Sequence, residues 1–96
     1  MPLFAVHALD KADALPRRLE YYSAHRSFVE TDQSFGVSVV TSGPLQSDDG
    51  ETMIGSLFII ESPSRAEIEA FTKADPFWVQ GVWADVTITR FHRRRG

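Results

Sequence analysis

The chain has no cysteine. That excludes disulfides, thiolate metal sites and a cysteine nucleophile, and it suits a reducing cytoplasm, the compartment expected for it. No apolar stretch approaches the roughly 20 residues needed to span a bilayer. The opening Met1-Pro2-Leu3-Phe4 lacks a basic segment followed by a long apolar run, so neither a signal peptide nor a membrane partner is expected. Cationic excess is missing too: 10 Lys and Arg stand against 13 Asp and Glu, a formal net charge of −3. This argues against general nucleic-acid binding. There is no glycine-rich phosphate loop, no G-x-S-x-G elbow and no dinucleotide fingerprint. His7, His25, His92 and the carboxylates have no compact metal spacing. No metal and no cofactor are expected.

What is present is apolar and aromatic. The 96 residues make one domain, 1–96, and 43% of them are hydrophobic, including seven Phe, two Trp and two Tyr. A chain this short buries a core of its own only marginally, so part of that apolar supply is available to a partner subunit. The one concentration of positive charge is the tail, Arg90-Phe91-His92-Arg93-Arg94-Arg95. It reads as a solvated end after the last strand, with contact to an anion as the alternative.

Hydrophobic periodicity orders the elements. Leu3 to Ala8 reads as a first strand. Asp13 is the expected N-cap of a helix running from Ala14 to about Glu30, with Pro16 tolerated in its first turn. Leu15, Leu19, Tyr22 and Val29 form its apolar stripe, with His25 on or beside it and Arg18 two turns before His25 on the same side. Gln33 to Gly36 is a connection. Val37, Val39 and Val40 form a β-branched run ended by Ser42-Gly43-Pro44. After the polar turn Gln46–Gly50 comes a third strand, Ile54 to Glu61. Ser64-Arg65-Ala66-Glu67 is a capping box opening a second helix, with Ile68 and Phe71 inward. Proline disfavours helical geometry in the residue before it, so that helix stops before Asp75-Pro76, and Phe77 to Gly81 suits one more short turn. Ala84 to Phe91 alternates as the last strand, with Val86 and Ile88 on one face and Thr87 and Thr89 on the other.

The order is β-α-β-β-α-β. Right-handed crossovers make this an α+β, ferredoxin-like antiparallel sheet with both helices on one face. Apolar residues on both faces of the strands, as in Val39-Val40 and Phe58-Ile59-Ile60, call for a cover on the second face, and a second copy of the chain is the economical one.

Among residues able to do chemistry, His25 stands first, because histidine is the side chain that exchanges a proton near neutral pH. Its ordinary reading is an inert, hydrogen-bonded residue at a helix edge. Asp75 follows, a carboxylate at a helix end before proline, whose ordinary reading is a turn residue satisfying nearby amides. Their spacing leaves both readings open and does not by itself bring the two together. Gly43-Pro44 and Gly55-Ser56 bracket the hairpin and offer backbone donors and a hydroxyl to a small ligand, or plain turn chemistry. Arg18, Tyr22, His7, Trp78 and Trp83 are further pocket candidates, with core or interface packing as their ordinary role. His7 and Asp10 do not make a dyad, since an extended strand sends them to opposite faces.

The whole chain resembles the YciI-like proteins. The pieces that carry the likeness are Asp10-Lys11-Ala12-Asp13-Ala14-Leu15, Arg18-Leu19, Ala24-His25, Ser42-Gly43-Pro44, Asp48-Asp49-Gly50, Gly55-Ser56, Ala74-Asp75-Pro76-Phe77 and Gly81-Val82. Their order and spacing are specific, although no single piece is. The resemblance implies the dimeric α/β barrel fold, hence a homodimer, with higher homo-oligomers open. It also implies an active site built on a His–Asp pair, here His25 and Asp75, with Ser56 and Gly43-Pro44 at the pocket. Relatives include a dehydrochlorinase of a chlorinated hydroxyhydroquinone, and the fold is shared with cofactor-free monooxygenases. Two departures stand out. Tyr22-Ser23-Ala24-His25 replaces the family's usual Arg-Pro-Ala-His, and Arg26 follows the histidine where leucine is usual.

The resulting expectation is a cofactor-independent lyase or isomerase acting on a small oxygenated ring by His–Asp acid/base chemistry. Arg18, Tyr22, Gly43, Pro44 and Ser56 would contact the small-molecule ligand. A non-catalytic module that binds a small metabolite, or serves in assembly, is one alternative. A cofactor-free monooxygenase is the other, and it rests on fold alone.

Overall fold

The computed structural model describes residues 1–96. Four strands, β1 (Leu3–Asp10), β2 (Ser38–Gln46), β3 (Met53–Glu61) and β4 (Trp83–Phe91), form one sheet in the order β2-β3-β1-β4, with every neighbouring pair antiparallel. Helices α1 (Leu15–Glu20) and α2 (Tyr22–Val29) link β1 to β2 through a 3₁₀ turn at Asp32–Phe35. Helices α3 (Arg65–Ala74) and α4 (Pro76–Val79) link β3 to β4. This is the ferredoxin-like arrangement expected from the element order, and no helix is long and apolar enough to cross a membrane.

The sheet has a covered and an open face, set by strand alternation. Phe4, Val6 and Ala8 of β1 align with Ile60, Phe58 and Ser56 of β3, and all six are buried. Val86 and Ile88 join them from β4, opposite Ala8 and Val6. The core fills the space between this face and the helices with Ile68, Phe71, Phe77 and Val82. Phe28, Phe35 and Phe71 pack ring against ring at 5.0–5.6 Å between centroids.

Local chemistry departs from expectation in several places. Asp13 does not cap α1: Ala14 holds the N-cap position without a side-chain bond, and Asp13 sits in the left-handed region at φ 58°. The helix expected from Ala14 to Glu30 bends at Tyr21 (φ −101°, ψ 10°), though Tyr21 N–H still reaches the Arg17 carbonyl and His25 N–H the Tyr21 carbonyl. The inward stripe runs through Ala14, Arg18, Tyr22, His25 and Val29, whereas Leu19 is 55% exposed. Both stripes have helical spacing. The observed one wins because Asp10, on the covered face of β1, draws Arg18 inward by an ion pair. At α3 the Ser64 hydroxyl bonds the Glu67 carboxylate directly and makes no bond to a backbone amide, so the reciprocal box is not formed. Glu67, held by this bond, has its carboxyl below the usual carboxylate range.

The second strand continues through Ser42-Gly43-Pro44 to Gln46, where the sequence suggested an end. β2 is an edge strand, so Pro44 costs no ladder bond on its open side. A register shift between Val39 and Thr41 leaves Val40 as an extra, exposed residue. Gly55 marks a close approach: a Cβ there would lie 2.3 Å from the Ala8 carbonyl oxygen.

Candidate active site

Helix α3 ends at Asp75, which is extended at φ −63°, ψ 134° as its position before Pro76 requires. The same residue begins α4, its Oδ1 accepting the Phe77 N–H at 2.8 Å. An ordinary capping geometry thereby turns a carboxylate, 1% exposed, toward α2. There it meets His25. The imidazole Nδ1 lies 2.8 Å from Asp75 Oδ1 and 2.9 Å from Oδ2. An ionised carboxylate only accepts, so Nδ1 carries the proton of a neutral ring and Nε2 carries the lone pair.

Packing fixes the ring. His25 stacks on Phe77 at 4.1 Å and 9° between planes, with Phe58 and Trp83 edge-on at 6.0 and 6.3 Å. Nε2 has no hydrogen-bond partner in the protein. The only buried polar side-chain atom without one is Trp83 Nε1, so Nε2 reaches open space.

That space is a cleft of about 380 Å³ bounded by α1, α2, β2 and β3. His25, Arg18, Tyr22, Ser56, Gly43 and Pro44 all line it. Of the residues expected to act on or contact a ligand, only Asp75 does not line it; that carboxylate stands behind His25. Pro44 and Ser56 lie opposite one another across β2 and β3, which puts both at the same wall. Other candidates lie elsewhere. His7 is exposed on the open face, opposite Leu57 and Thr87. Trp78 lines a separate groove with Arg65 and Lys73, and Trp83 is buried in the core.

Arg18 makes the second polar centre. Its side chain is 1% exposed and forms a paired contact with Asp10, Nε to Oδ2 at 2.7 Å and Nη2 to Oδ1 at 3.0 Å. Nη2 also donates to Ser56 Oγ at 2.8 Å, and Cζ lies 4.6 Å from the Phe77 ring centre. A buried guanidinium demands such a partner. Asp10 is the site-associated residue that the sequence reading passed over. Alternation with Phe4, Val6 and Ala8 was the available signal, since it puts Asp10 on the covered face. Phe58, Arg26, Val29, Glu30 and Ser42 also line the cleft without having been singled out, and Arg26 lies 5.8 Å from the Tyr22 ring.

The chain matches the YCII-related domain over residues 2–92. It belongs to the YCII-related family. Protein YciI of Escherichia coli O6:H1 (strain CFT073) is 30% identical over 96 residues, spanning 95% of this chain and 97% of the relative, and Protein YciI of Shigella flexneri is equally similar. Among solved structures, 5-chloro-2-hydroxyhydroquinone dehydrochlorinase (TftG) from Burkholderia phenoliruptrix AC1100, in complex with 2,5-dihydroxybenzoquinone, superimposes with a TM-score of 0.82. It is 28% identical, over 94% of this chain and 93% of that one. An antibiotic biosynthesis monooxygenase covers 99% of this chain and 100% of its own at TM-score 0.54 and 17% identity, a likeness of fold alone. The fold class is that of the dimeric α/β barrels.

Proposed function

We propose that this YCII-related protein is a cofactor-independent lyase or isomerase acting on a small oxygenated ring, with His25 as its general acid/base. The observation that carries the reading is the His25–Asp75 contact with Nε2 left free at the cleft. Asp75 holds the tautomer and orientation of the imidazole and balances the imidazolium formed when Nε2 takes a proton, the part a carboxylate plays in a catalytic triad. Ser56 Oγ accepts a bond from Arg18, which leaves its own proton to donate to a substrate oxygen as negative charge develops there. Tyr22, Gly43 and Pro44 shape the remaining wall.

In an elimination, Nε2 removes a proton, the electron pair of that bond forms a new double bond, and the leaving group departs with its own pair. In an isomerisation, the imidazolium returns the proton to a different atom. The likeness to a chlorohydroxyhydroquinone dehydrochlorinase favours the first. The reading includes a homodimer built through the open sheet face, and a cytoplasmic setting.

The test is an assay with 5-chloro-2-hydroxyhydroquinone and related quinols and lactones, following chloride release and quinone absorbance. Turnover is expected, and His25→Ala is expected to lower kcat by about 10²–10⁴-fold. Full activity in His25→Ala would remove the assignment, and binding of these compounds with no product would make the domain a binding module.

A further inference from the structure

A buried arginine in a binding cleft ordinarily suggests an anionic substrate. Here the charges around it point the other way. Arg18 spends its Nε proton and one Nη2 proton on Asp10, and its second Nη2 proton on Ser56. Asp10 is itself 7% exposed at the side chain, so its charge is not dispersed into solvent. The pair presents no net charge to the cleft. His25 backs onto the buried carboxylate of Asp75, and Glu30 lines the cleft as well. Arg26 and Glu30 are both exposed, so water screens each of them. Behind the cleft wall the buried guanidinium of Arg18 is thus matched by Asp10, and the His25 imidazole by Asp75.

Donors remain at the inner end nonetheless. Ser56 Oγ receives a bond from Arg18 and keeps its own proton for another acceptor. Arg18 Nη1 makes no protein bond and is not among the buried unpartnered atoms, so it touches the cleft. These donors suit a hydroxyl or carbonyl oxygen. A carboxylate at this inner end would bring a full charge near the buried Asp75 and against a guanidinium already matched by Asp10, with no unpaired buried cation to meet it, and exclusion by uncompensated charge is a strong source of selectivity.

We propose that Asp10 is a specificity-determining residue: by neutralising Arg18 it sets the cleft to take an uncharged hydroxylated ring and to refuse the corresponding carboxylate. This rests on the cleft being the binding site, as in the function proposed above, but not on turnover.

The experiment compares catechol with benzoate, each titrated into the intact protein near neutral pH. The His25 ring resonances report occupancy of this cleft. Wild type is expected to bind catechol at least about tenfold more tightly than benzoate. Asp10→Asn, which keeps the shape and removes the charge, is expected to move that ratio toward benzoate by about tenfold or more. Ser56→Ala should weaken catechol without creating benzoate binding. Tighter benzoate binding by wild type would overturn the proposal while leaving the site in place, and this arm stands even if Asp10→Asn fails to fold. An unchanged ratio in a folded Asp10→Asn protein would overturn it equally. If neither ring moved the His25 signals, both the proposal and the cleft as a binding site would fall.

Discussion

At the scale of single residues, two positions turn geometry into numbers. Gly55 sits where any side chain would put a Cβ 2.3 Å from the Ala8 carbonyl oxygen, a backbone atom that cannot swing aside. Gly55→Ala must therefore push β3 from β1 close to Ser56, and a loss of about 1–3 kcal/mol in urea unfolding is expected. Asp49 accepts from the Ser47 hydroxyl and the Glu51 amide in the β2–β3 turn, and these bonds hold its carboxyl below the ordinary 3.8. The sign follows. A carboxyl depressed in the folded state stabilises above its unfolded value, and this contribution is lost as pH falls through the folded one. Carboxyl chemical shifts between pH 2 and 6 should give Asp49 a midpoint below that of a model aspartate, and Ser47→Ala should raise it.

At the scale of elements, junctions do more than the helices themselves. Asp75 ends α3, caps α4 and meets His25, so one carboxylate links helix termination to the site. Asp32 has a comparable structural task at the other crossover. Its Oδ1 accepts the Gln33 N–H and its Oδ2 the Val39 N–H, both at 2.8 Å, tying the 3₁₀ turn to the start of β2. Asp32→Ala removes both bonds. A loss of about 1–2 kcal/mol is expected, with the β2 edge fraying first in amide exchange.

At the scale of the whole molecule, the open face of the sheet is the outstanding feature. Leu9, Leu57 and Phe91 on it are 40%, 36% and 39% exposed, beside partly buried Leu3, Ala5 and Ile59. A sheet face of this kind in a domain of this size calls for a cover. Leu57→Glu, central on that face opposite His7, should lower the mass seen by light scattering from dimer to monomer and leave far-UV circular dichroism intact. A wild-type chain that is monomeric at micromolar concentration would remove the homodimer from the proposed function.

The element order, the strand alternation and the stop at Asp75-Pro76 were legible from the residues alone, because they follow from local periodicity and from proline's effect on its neighbour. The family likeness, also carried by the sequence, named His25, Asp75, Ser56, Gly43 and Pro44. Which helix stripe faced inward was set by packing between elements. Leu15 and Leu19 looked like the buried pair, yet Arg18 went in, because its partner Asp10 lies on another element and an ion pair across elements leaves no mark in helical periodicity. The meeting of His25 with Asp75, fifty positions apart, belongs to the same class. Their contact depends on α2 and α4 packing together over Phe77, and chain spacing carries no record of that.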